Sequence, residues 1–186
     1  MRVLSGLIIG AIVGGGALAA GAVSVGAQSK AGAPQPVAGA IKASWDGAKK
    51  NMRDSAEFMP EAHFSFKPVD TVRTFGQIVA HTAGANYVFC SAIKGEKSPQ
   101  AENAFEGLAT KAAILKAWDD SVAYCDAAYA AATDRSIAEA IEQPFGQGKG
   151  PRAAALMGNV GHLNEHYGNL VTYMRMKGVV PPTSRR

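Results

Sequence analysis

Four stretches of this chain repeat apolar residues at spacings of three and four, and no stretch alternates apolar with polar residues as a half-buried strand would. The first runs Ile41, Trp45, Ala48, Met52, Ser55 and Met59, with Lys42, Asp46, Lys49, Lys50 and Arg53 on the other side and Pro60 as its stop. The second runs Phe75, Ile78, Thr82, Ala85, Phe89 and Ile93, behind an N-cap expected at Asp70 or Thr71, and ends near Gly95. The third carries Leu115, Trp118, Val122, Cys125 and Tyr129 behind Thr110. The fourth is Leu156, Val160, Leu163, Tyr167, Leu170 and Met174, opened by Pro151 in the first turn and closed by Gly178 and Pro181-Pro182. A short helical turn is expected from Ile137 to Ile141, between the third and fourth stretches. Four amphipathic helices without strands predict an all-α four-helix bundle.

The connection from Lys94 to Ala109 decides which topologies are open. At roughly fifteen residues and about 3.3 Å per residue it can run back along a bundle and leave helices two and three parallel, whereas a tight hairpin would make them antiparallel. The two cysteines depend on that choice. With parallel helices Cys90 and Cys125 lie near one end and can bond; with antiparallel helices they lie too far apart. Two buried thiols are the alternative to a disulfide.

No charged residue occurs from Val3 to Ala27, a run that follows Arg2 and ends in the small-x-small sequence Val25-Gly26-Ala27. It reads as a signal peptide over residues 1–27, with an uncleaved anchor as the competing reading because the run is long enough to span a bilayer. Its density of Gly and Ala favours cleavage, so the expectation is a periplasmic or secreted protein with no stable membrane insertion. Residues 28–39 follow as a proline-bearing flexible lead-in, and 40–184 form the folded domain. Removing 1–27 takes away Arg2 alone, so the formal charge of +4 becomes +3 (4 − 1). That excess is spread along the chain with no dense Lys/Arg cluster among aromatics, which gives no basis for nucleic-acid binding.

Chemistry concentrates in the last helix. His162 and His166 stand four residues apart, so they point about 40° from each other and both imidazoles can reach one ion. His162-Leu163-Asn164-Glu165-His166 also fits the His-x-x-Glu-His pattern of inverted zinc peptidases, in which the glutamate is the general base. Those enzymes take their third ligand from downstream, and nothing after His166 is His, Asp, Glu or Cys, so the peptidase reading is rejected. A third ligand must then come from upstream, which leaves His63, His81 and numerous carboxylates as candidates. His81 is preferred because it lies in helix two, about 80° from the centre of the buried stripe, just as His162 and His166 lie on the shoulder of theirs. His63, in the proline-bounded loop, is expected to be exposed. Three neutral imidazoles with open positions suit zinc, nickel or a similar divalent ion. Asn159, Asn164, Glu165, Tyr167 and Tyr173 are candidates for contacts around such a site.

Phe75-Gly76-Gln77-Ile78-Val79-Ala80-His81, Ala85-Asn86-Tyr87, His162-x-x-x-His166-Tyr167-Gly168-Asn169-Leu170 and Gly178-Val179-Val180-Pro181-Pro182 together resemble the DinB/YfiT-like superfamily, over about residues 40–184. The resemblance implies a bundle of up-down-down-up topology and a divalent metal on His81, His162 and His166. Members of that family differ in chemistry, some resembling thiol-dependent S-transferases or isomerases, and export counts against a cytosolic thiol cosubstrate. The expectation is therefore a small-molecule substrate and transferase or hydrolase chemistry through a metal-activated thiol or water, with catalytic residues unassigned. A non-catalytic metal- or ligand-binding exported bundle is the alternative, and either is compatible with a homodimer.

Overall fold

The computed structural model describes residues 34–185. Four long helices dominate: α1 (Pro36–Phe58), α2 (Phe75–Lys94), α3 (Lys111–Ala130) and α4 (Arg152–Met176). The expected signal peptide, and residues 28–33 of the expected lead-in, lie outside the described residues. Among the described residues no helix is long and apolar enough to cross a membrane.

Helix α1 starts at Pro36, inside the stretch expected to be a lead-in. Its first-turn amides are answered from across the chain, Ala38 N–H donating to Asp134 Oδ1 at 2.8 Å, so the helix can begin earlier than its apolar stripe. The N-cap of α2 is Thr74 rather than Asp70 or Thr71. Thr74 Oγ1 accepts from Gln77 N–H and Gln77 Oε1 accepts from Thr74 N–H, a reciprocal capping box. The expected ends hold at Gly95, with φ +73°, at Thr110, whose hydroxyl caps α3, and at Gly178, with φ +70°.

Cross-helix contacts set the directions. Asn86 donates to Ser121 Oγ and Cys90 is bonded to Cys125, both pairs separated by 35 residues, so α2 and α3 run side by side in the same direction. Trp45 Nε1 donates to Asp126, Arg53 to Asp119, and Lys111 to the Met59 carbonyl, so α1 and α3 run in opposite directions. Tyr173 bonds the Arg73 carbonyl at one end of α2 and Arg152 bonds the Ile93 carbonyl at the other, which makes α4 antiparallel to α2. Trp45 stacks on Tyr129 with ring centroids 4.5 Å apart at the centre of the core, and the Tyr129 hydroxyl donates to the Leu156 carbonyl.

Two expectations fail locally. Residues 136–151 hold two 3-10 turns (Ser136–Ala138 and Pro144–Gly146) and a two-stranded antiparallel hairpin, β1 (Ala140–Glu142) and β2 (Lys149–Pro151), instead of a helical turn to Ile141. Three-residue strands are too short to register as alternation. In α3 the buried set is Ile114, Ala117, Trp118, Ser121, Cys125, Ala128 and Tyr129, so Leu115 and Val122 sit at the margin of the buried face.

Candidate metal centre

The bundle brings His81, His162 and His166 together, with one ring nitrogen from each within 4.8 Å of the others. His162 Nε2 lies 3.2 Å from His81 Nε2 and 3.1 Å from His166 Nε2. Two nitrogens bound to one tetrahedral zinc at about 2.05 Å stand about 3.3 Å apart, so the spacing is that of donors sharing an ion. His63, half-buried in a 3-10 turn (Glu61–His63), is not among them.

His81 is oriented by its other edge. Its Nδ1–H donates to Glu106 Oε1 at 3.1 Å, which leaves Nε2 with a free lone pair facing the cluster. Glu106 is held in turn by Arg73, with Nη2 3.2 Å from Oε1 and Nε 3.2 Å from Oε2. The Nδ1 atoms of His162 and His166 are buried with no protein partner among the described residues. With His81 in this tautomer, His162 Nε2 can donate to one neighbour at most, so hydrogen bonding alone leaves the trio incompletely paired. A cation accepting all three Nε2 lone pairs removes the conflict among those atoms and places the protons of His162 and His166 on Nδ1, and the cluster could hold a metal ion.

Burial and like neighbours keep these rings neutral. The pKa of His162 is pushed down to about 3 by burial first, then by His166 and His81; that of His166 falls to about 4 by burial, then by His81. His81 is also held below the usual histidine range, by burial and then by Arg73. Unfolded histidines take up protons near 6.5, so below that pH the unfolded chain binds more protons and stability rises with pH. The melting temperature of metal-free protein should therefore fall progressively as pH drops from about 6.5 toward 4. A thermal-melt series in a chelating buffer checks this, and a His162→Gln/His166→Gln variant should show a flatter profile.

The shoulder position expected of His81 does not survive. The residue is 5% exposed, because α2 is covered on nearly every side from Phe75 to Asn86. The cover is the α2–α3 connection. It packs so closely on α2 that a Cβ at Gly84 would overlap the Glu102 carbonyl and come within 3.0 Å of the Ala101 carbonyl oxygen. That approach carries Glu102 and Glu106 to His81, two residues that helical periodicity could not find, since they stand outside any helix. Their i,i+4 spacing within the connection is the only trace in the sequence.

A cleft of about 640 Å³ opens beside the cluster, lined among others by Lys67, Arg73, Gln77, Glu106, His166 and Tyr173. On the other side Phe89 lies against the His162 ring, centroids 5.8 Å apart, and Phe145 from the hairpin meets Phe89 edge-on at 5.1 Å. Of the other sequence candidates, Tyr173 lines the cleft and donates to the Arg73 carbonyl. Tyr167 bonds Thr183, Asn159 is buried beside the disulfide, and Asn164 and Glu165 are exposed.

The family model of the DinB superfamily matches residues 44–170. The chain belongs to that superfamily. Solved structures with the same fold include a DinB-like protein from Bacillus cereus, 19% identical with a TM-score of 0.64, covering 76% of this chain and 93% of that one. A DinB-like protein from Bacillus subtilis is 20% identical with a TM-score of 0.56, covering 79% and 99%. A mycothiol-dependent maleylpyruvate isomerase is 17% identical with a TM-score of 0.59, covering 72% of this chain and 60% of its own length. No curated protein matches the sequence.

Proposed function

We propose that this superfamily member is an exported enzyme that binds a divalent ion, zinc, nickel or similar, on His81, His162 and His166 and acts on a small molecule. The observation that carries the reading is the convergence of three ring nitrogens within 4.8 Å, His162 Nε2 standing 3.2 Å from that of His81 and 3.1 Å from that of His166, with His81 fixed by Glu106 and Arg73. An ion on three imidazoles lowers the pKa of a bound water or thiol and so supplies a nucleophile at neutral pH. The chain's own part is to hold three neutral rings in one orientation, to keep the site half-buried, and to offer a cleft whose volume suits a small substrate. Arg73, Lys67, Gln77 and Tyr173 are the polar groups available there to orient one. The likeness to a mycothiol-dependent isomerase supports a thiol among the nucleophiles to be tried, and the apolar run before Gln28 supports periplasmic or secreted placement.

Elemental analysis of protein purified from an export host should find about one divalent ion per chain, as a single three-histidine site would hold. In cobalt-loaded protein, small thiols should produce a sulfur-to-metal charge-transfer band. Absence of any ion after reconstitution would sink the reading, and an ion blind to both thiols and hydrolysable substrates would make the bundle a binder.

A further inference from the structure

We propose that Glu102 is a fourth, exchangeable protein donor to the ion held by His81, His162 and His166; this rests on the metal reading above. The contact at Gly84, three residues along α2 from His81, fixes the Ala101–Glu102 backbone against the helix. From there the carboxylates of Glu102 and Glu106 flank the same ring. Glu106 takes Nδ1, and Glu102 Oε1 stands 3.7 Å from Nε2, the nitrogen turned toward the other two histidines.

That second placement is not a hydrogen bond. With its proton on Nδ1, His81 offers Glu102 only a lone pair, and a carboxylate facing a lone pair is repelled. A cation within reach of both converts the contact into an attractive one. Two donors on one ion at about 2.1 Å are separated by at most about 4.2 Å, and 3.7 Å lies inside that limit.

Charge points the same way. Three neutral imidazoles leave a divalent ion uncompensated in a half-buried site, and the carboxylate of Glu106 is already answered by Arg73. Glu102 has no Lys or Arg partner among the described residues, the neutral ring of His81 being the one basic side chain within reach of it. Its oxygen lies outside the tight group of histidine nitrogens, and its side chain is 44% exposed. Turning about its own side-chain bonds therefore brings the carboxylate onto the ion or away from it while the backbone stays pinned at Gly84. A donor of this kind holds the coordination position until an incoming thiol or water displaces it.

The test uses mature protein stripped of metal, with cobalt(II) titrated against a chromophoric chelator. Glu102→Gln should weaken cobalt binding at least about 10-fold and alter the visible ligand-field spectrum, with the melting temperature of the metal-free form unchanged. The spectrum rather than the size of the loss separates a bound donor from a group that only orients a ligand. Unaltered affinity and spectrum, in a preparation whose wild type takes up one ion, would overturn the fourth donor and leave the three-histidine site intact. Weakened affinity with an unaltered spectrum would also overturn it, since the carboxylate would then act only through its charge. A wild type that takes up no ion would overturn the metal reading itself.

Discussion

Alanine at His81 should cost as much divalent-ion affinity as alanine at His166, more than about 100-fold in each case, because partners that merely orient a ligand are worth 10–100-fold. The equality follows from the geometry. Both rings present Nε2 to His162 at nearly the same distance, 3.2 and 3.1 Å, so neither is peripheral to the cluster. His63→Ala should leave affinity unchanged, since that ring lies outside the group. Chelator competition with each variant, alongside circular dichroism of the metal-free forms to confirm folding, checks the set. If His63→Ala alone weakened the ion, the third ligand would be misassigned.

Removing the disulfide should have the largest effect on stability. The Cys90–Cys125 bond closes a loop of 35 residues, and the chain-entropy treatment gives about 3–4 kcal/mol for a loop of that length. For a domain of this size that amounts to a fall in melting temperature on the order of 10 °C. Cys90→Ala/Cys125→Ala is the informative pair, because both sulfurs are fully buried and alanine leaves no unpaired hydroxyl. Complete alkylation of native, export-produced protein would show that the bond is absent and cancel the expectation.

Both results bear on how much could be read from the residues. Helical spacing located all four helices, and it placed His162 and His166 together because they share one element. His81 could be chosen because it too lies on a helix. What spacing could not supply was the surroundings of His81: a helix wheel describes one cylinder, and the α2–α3 connection that buries α2 belongs to none. The same limit explains why Arg73, Glu102 and Glu106 were missed, all three lying outside the helices. Thr74 is legible in principle, since Thr74-Phe75-Gly76-Gln77 is a capping-box sequence, whereas Asp70 and Thr71 have no Glu or Gln three residues on. Asp134 could not have been foreseen as the group that caps α1, because it acts across 96 residues of chain.

The close approach at Gly84 also yields a way to sort relatives by sequence. A side chain at that position would force the connection off the helix, and the two carboxylates would leave His81 with it. Superfamily members that pair a glycine three residues after the helix-two histidine with Glu-x-x-x-Glu in the following connection should therefore share this acidic flank. Members with a bulkier residue there must balance the charge of their site by another route, and should sort into a separate chemical group when their metal affinities are compared.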